Sequence, residues 1–109
     1  MIRVVQRIYL SGPITGIADY HQRFEKAKVD LVAAGYTNIA NPAELDGVIN
    51  EAKYEEYMSL CMSLMEMCDV VVMLPGWKNS IGANREYGYA LGKNKLIFEL
   101  EDMLEVANG

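Results

Sequence analysis

Two hydrophobic periods alternate along this chain. Val4–Val5–Gln6–Arg7–Ile8–Tyr9–Leu10–Ser11, rich in β-branched and aromatic residues, predicts a first strand. From Asp19 to Ala34 the apolar positions Tyr20, Phe24, Ala27, Leu31 and Ala34 recur three or four residues apart, the period of an amphipathic helix. Asp19 is suited to cap its start and Gly35 to end it. Tyr36–Ala40 predicts a short second strand, closed by Asn41–Pro42. The polar, acidic stretch from Ala43 to Lys53 predicts a loop able to fold over a pocket. Tyr54–Cys68 carries the best helical pattern, with Tyr54, Tyr57, Met58, Cys61, Leu64, Met65 and Cys68 on one seam. Leu60 and Met67 extend its apolar character to a second face, which is met either by a methionine-rich core or by another subunit. Asp69–Leu74 is a pure strand run that Pro75–Gly76 cuts off. A helix from Ser80 to about Leu91, a strand Lys95–Glu99 and a short fraying turn or helix over Glu101–Val106 complete the pattern.

Strands alternating with helices imply a mostly parallel sheet of four to five strands with helices on both faces. The expected fold class is therefore an α/β three-layer sandwich, flavodoxin- or Rossmann-like, with residues 1–109 as one domain.

Composition narrows the function classes. With 51% hydrophobic and 23% charged residues the chain is globular in character. A net charge of −5 argues against a nucleic-acid backbone binder, which needs a basic face. It leaves room for a small phosphorylated ligand held by backbone amides. No apolar run approaches the roughly 18 residues of a membrane span, and the first residues lack a signal-peptide core, so no membrane partner and a cytoplasmic location are expected. Cys61 and Cys68 stand about 10.5 Å apart along a helix, beyond the reach of about 7 Å that a disulfide allows. They also lack metal-finger spacing, so packed, reduced thiols and no metal are expected. The lone His21 reads as a solvated or packed side chain.

Two stretches can carry chemistry. Ser11–Gly12–Pro13–Ile14–Thr15–Gly16 follows the first strand with bare amides and hydroxyls. It is neither a Walker loop nor a dinucleotide fingerprint, and a ligand pocket and a plain turn fit it equally. Ser80 is suited to cap the next helix, on which Gly82, Glu86 and Tyr89–Ala90 share one face. A carboxylate beside a bare backbone patch, at the carboxyl end of a buried strand, is where open α/β sheets bind ligands.

The combination of Tyr9–Leu10–Ser11–Gly12–Pro13–Ile14–Thr15–Gly16, Asn41–Pro42, Cys68–Trp77, and Asn79–Ser80–Ile81–Gly82–Ala83 before Glu86 and Ala90 resembles a small uncharacterised family of phages and bacteria. That family is similar to the nucleoside 2-deoxyribosyltransferase superfamily, which includes the deoxynucleoside 5′-monophosphate N-glycosidases. The resemblance implies a nucleoside deoxyribosyltransferase-like fold and an enzyme that cleaves or transfers at a nucleoside or nucleotide N-glycosidic bond. It casts Glu86, in a G-x-x-x-E context with Gly82, as the nucleophile at the sugar C1′ carbon, and Tyr9 as the group that positions it. It casts Ser80 as a 5′-phosphate contact, a role that stands beside its helix cap. Ser11, Gly12, Ile14, Thr15 and Gly16 would line the same pocket. Where superfamily members commonly carry an aspartate near the base or sugar, this chain has Cys61. Related enzymes complete their sites across subunits, which implies a homodimer or larger homo-oligomer. No cofactor is implied, and the partner is a small-molecule nucleoside or nucleotide.

The expected chemistry is nucleophilic catalysis by an ionised Glu86, favoured by its place in the second helical turn and by a phenol bond from Tyr9. The rival class is a non-catalytic module that binds a nucleotide in the same cleft. A degenerate interaction protein is a third, opposed by the retention of Tyr9, Gly82 and Glu86 together.

Overall fold

The computed structural model describes residues 6–47 and 51–108. Four strands, β1 (Ile8–Ser11), β2 (Ile39–Ala40), β3 (Val70–Met73) and β4 (Leu96–Glu99), alternate with four helices, α1 (Tyr20–Ala33), α2 (Tyr54–Glu66), α3 (Ile81–Gly92) and α4 (Leu100–Asn108). All strand pairs are parallel, in the order β2-β1-β3-β4. The expected α/β sandwich is present, with four strands. Val4 and Val5, expected in the first strand, lie outside the described residues, as do residues 48–50 of the expected loop.

Alternation along β1 and β3 builds two cores. Ile8, Leu10, Val70 and Val72 face one way, against Phe24, Ala27 and Leu31 of α1 and Met103 of α4. Tyr9, Val71 and Met73 face the other, against Cys61 and Met65 of α2 and Ala83 and Ala90 of α3. A parallel strand covered on both faces must be apolar on both, which is why Val70–Met73 shows no polar alternation. Fully buried side chains such as Phe24 and Leu31 each contribute roughly 1.5–3 kcal/mol of transfer free energy.

The strand order fixes where a ligand can enter. From β1 the chain steps outward to β2, then crosses back over β1 to reach β3. The connections leaving the carboxyl ends of β1 and β3 therefore diverge to opposite faces, and a crevice opens between them.

Four local features depart from the expected pattern. The second strand shrinks to Ile39–Ala40, because Asn38 takes a positive φ of 64° that interrupts extended pairing. Asp19 sits at the start of α1 without capping it, its carboxylate paired instead with Arg23 at 2.9 Å. The expected loop opens with a 3₁₀ turn, Pro42–Leu45, capped by the Asn41 side chain accepting from the Ala43 amide at 3.0 Å. The C-terminal segment forms the full helix α4, anchored by buried Met103.

Gly12 has a packing reason. A Cβ at that position would lie 2.8 Å from Cβ of Leu74, a rigid atom at the end of β3. The glycine lets the turn after β1 close against β3.

Candidate active site

Tyr9 and Ser11 are two residues apart on β1 and so point to the same face, toward α3. Both are fully buried, at 0% exposure, and Glu86 of α3, 5% exposed, meets them. The Tyr9 phenol donates a short hydrogen bond to Oε2 of Glu86. The Ser11 hydroxyl donates to Oε1 at 2.7 Å. Each carboxylate oxygen thus has its own donor, and both donors belong to one strand.

The electrostatics of this cluster follow from burial. Burial raises the Glu86 carboxyl above its ordinary range, and the Tyr9 and Ser11 hydroxyls oppose the rise without cancelling it. The helix position and the phenol, the two features legible in sequence, both favour the charge. Desolvation is the larger effect. The Tyr9 phenol is itself held well above its usual value by burial, then by the Glu86 charge, so it stays a donor. Cys61, on α2, is pushed up to about 11 by burial and by Glu86, against the Tyr9 and Tyr57 hydroxyls. It is a neutral thiol at physiological pH, and it and Cys68 are both free and buried.

Glu86 forms part of the wall of a cavity of about 500 Å³ at the crevice between β1 and β3. Gly12, Ile14 and Thr15 line one side, and Ser80, Ile81, Gly82 and Ala83 at the start of α3 line another. Tyr54, Tyr57, Met58 and Cys61 of α2 form the third wall, and Asn79 completes it. Among the described residues, no basic side chain lines it. A second cavity of about 420 Å³ shares Ile14, Thr15, Tyr54 and Tyr57 with the first, and reaches Tyr20, Leu60 and Asp46.

The structure brings most of the expected residues together. Tyr9 and Glu86 are in contact, and Gly12, Ile14, Thr15, Ser80, Gly82 and Cys61 surround the cavity. Ser11, expected among the ligand contacts, is buried behind Glu86 with its hydroxyl on the carboxylate. Gly16, at a positive φ of 79°, ends the turn and lines neither cavity. The Ser80 hydroxyl accepts from the Ala83 amide at 3.2 Å, so it caps α3 while lining the cavity. His21 is exposed beside Asp46, 3.0 Å away, in a pair that also takes the Tyr20 phenol.

Sequence reasoning missed four contributors. Tyr54, Tyr57 and Met58 were visible as an apolar seam, yet nothing in that period says that its upper part borders a cavity. Asn84 carried no signal. Its amide donates to the carbonyls of Trp77, Lys78 and Ser80 at 3.3, 3.0 and 2.8 Å, fixing the connection between β3 and α3. Among the described residues, no cluster of three or more histidine, cysteine or acidic side chains could hold a metal ion.

A buried carboxylate at the edge of a cavity, with a neutral donor on each oxygen, can hold a partial positive charge or form a bond to an electrophilic carbon. A family model described as "Domain of unknown function (DUF4406)" matches residues 6–99. The comparison with curated proteins returned no match.

Proposed function

We propose that this chain, which belongs to the DUF4406 family, cleaves the N-glycosidic bond of a nucleoside or nucleoside 5′-monophosphate, by hydrolysis or by transfer to another base, with Glu86 as nucleophile. The observation that carries the proposal is Glu86 itself. It is a buried carboxylate bordering a cavity sized for a small molecule, with each oxygen on a hydroxyl donor. Burying a charge without need is unfavourable, so an ionisable group kept there in a cleft points to chemistry.

In the first step a Glu86 oxygen bonds to C1′ as the C1′–N bond breaks. The electron pair leaves on the base nitrogen, which takes a proton from water. In the second step water, or the nitrogen of an incoming base, attacks C1′. The C1′–O bond to Glu86 breaks, its pair returns to the carboxylate, and the attacking group releases a proton to solvent. A 5′-phosphate would meet the first-turn amides of α3 at Ile81 and Gly82, where the helix dipole favours an anion.

The neutral thiol of Cys61 supports a second reading, a module that binds a nucleotide without turning it over. It leaves the Glu86 wall of the cavity without a ready acid for the departing base.

Chromatography of free base, after incubation with a panel of nucleosides and 5′-monophosphates, tests both. Base released by the parent protein and lost in Glu86→Gln is the expected result. No release from any substrate, with a thermal shift from one of them, would favour the binding module. Release that survives Glu86→Gln would assign the nucleophile elsewhere.

Self-association belongs to the same proposal. Leu91, Leu96 and Phe98 are exposed and line one groove at the β4 edge, an apolar patch flanked by Lys78, Lys95, Glu99 and Asp102 and suited to a second copy. Light scattering should give at least a dimer mass; a strict monomer would remove this part.

A further inference from the structure

Ser11 is the one hydroxyl in the two central strands besides Tyr9, and its placement is not that of a ligand contact. The other residues of β1 and β3 are Ile8, Leu10, Val70, Val71, Val72 and Met73. A hydroxyl buried in such a strand is unfavourable unless it is bonded. Ser11 has its partner in Glu86, 75 residues away in sequence, at 2.7 Å. Its backbone carbonyl is separately engaged, accepting from the Leu74 amide at 2.7 Å, so the strand pairing does not depend on the side chain.

The geometry of the pair is specific. Tyr9 alone would hold one oxygen of Glu86 and leave the carboxyl group free to rotate about its last bond. A second donor from the same strand, on the other oxygen, fixes the plane of the group. Resting on the proposed glycosidase chemistry, we propose that Ser11 is a positioning residue for Glu86, its hydroxyl holding Oε1 while the Tyr9 phenol holds Oε2. Held in this way, the carboxylate presents a fixed lone pair to the sugar carbon. Both donors also stabilise the carboxylate over its glycosyl ester, so they assist the second step, in which Glu86 is the leaving group.

Three variants separate this role from simple packing. Ser11→Ala removes the donor. Ser11→Cys keeps nearly the same size with a much weaker donor, and serves if the alanine variant does not fold. Ser11→Thr retains the hydroxyl. The readout independent of turnover is an NMR titration of the Glu86 side-chain carboxyl carbon in labelled protein.

The midpoint should rise by about one pH unit in Ser11→Ala, a tenfold change in the ionisation constant, and by a smaller amount in Ser11→Cys. Ser11→Thr should titrate as the parent does. In the base-release assay the acid limb of kcat/KM should move upward in step, and the quenched alanine variant should carry more covalent sugar by intact-protein mass spectrometry. An unmoved midpoint in folded Ser11→Ala or Ser11→Cys overturns the proposal. The two readings fail separately. A moved midpoint with no base released by any form leaves Ser11 as the group that holds Glu86 and removes the glycosidase. Base release with an unmoved acid limb keeps the glycosidase and removes Ser11 from its machinery.

Discussion

At the scale of single residues, Glu86 sets stability and chemistry against each other. Its carboxyl titrates above the ordinary 4.5 in the fold because burial disfavours the charge. The folded state therefore binds the proton more tightly than the unfolded one. Its contribution to stability is full below 4.5, is lost as pH rises through the folded value, and is a net cost at neutral pH. Glu86→Gln, which keeps the shape and removes the charge, should raise Tm at pH 7, by about 4 °C for each 1 kcal/mol recovered. The gain should vanish near pH 4. A melting series from pH 4 to 8 checks this, and a mutant less stable than the parent at pH 7 contradicts it. Tyr9→Phe tests activity instead. With Oε2 stripped of its donor, base release should fall about 10²-fold and its acid limb move upward, read from a pH profile of kcat/KM. Gly12→Ala is a packing test. The added methyl meets the Leu74 Cβ 2.8 Å away, and a urea titration should show a loss of about 1–3 kcal/mol. These residues were only partly legible in sequence. Tyr9 and Glu86 could be paired through a family resemblance, whereas the role of Ser11 depends on a contact across 75 positions.

At the scale of elements, the connection from β3 to α3 is the structure that aims the site. Gly76 turns the chain at a φ of 84°, Trp77 stacks on Tyr87 with ring centres 4.7 Å apart, and Ser80 caps the helix. Asn84 ties this turn together from inside α3. Asn84→Ala should lower stability by about 1 kcal/mol and raise amide exchange over 77–82 well above that of β3. Exchange unchanged in that stretch would show that the connection holds without the asparagine. The sequence pattern located the strand, the break and the helix here, because each follows from local chemistry. It could not locate the Asn84 bonds, since asparagine in a helix has many uses. For α2 the period was correct and its environment was not legible. Cys61 and Met65 enter the core, Cys61 also touching the cavity, while Tyr57 and Tyr54, one and two turns before Cys61, face that cavity.

At the scale of the molecule, the two cores share one sheet. Each face of β1 and β3 belongs to a different core, so neither can come apart without removing a wall of the other. Unfolding should therefore be a single transition. Trp77 fluorescence, which reports the α2–α3 side, and far-UV circular dichroism, which reports all helices, should give the same midpoint in urea. Two separate midpoints would mean that the layers melt independently. The order β2-β1-β3-β4 also explains why the cavity sits between β1 and β3, where the helices leave on opposite faces. Among the described residues no helix is long and apolar enough to cross a membrane.

By itself the sequence determined the alternation of strands and helices, the apolar character of the central strands, the cap at Ser80 and the stop at Gly35. All of these follow from side-chain period and backbone conformation within a few residues. The length of β2 was decided by a positive φ angle and the release of Asp19 to Arg23 by a neighbouring charge, each competing with local propensity, whereas the 3₁₀ turn after Asn41 is itself local, set by the Asn41 cap and Pro42. Only the tertiary structure decided what surrounds Glu86. Its burial, its two hydroxyl partners and the raised carboxyl come from packing α3 against β1, and desolvation is a property of the assembled molecule that no short stretch of chain carries.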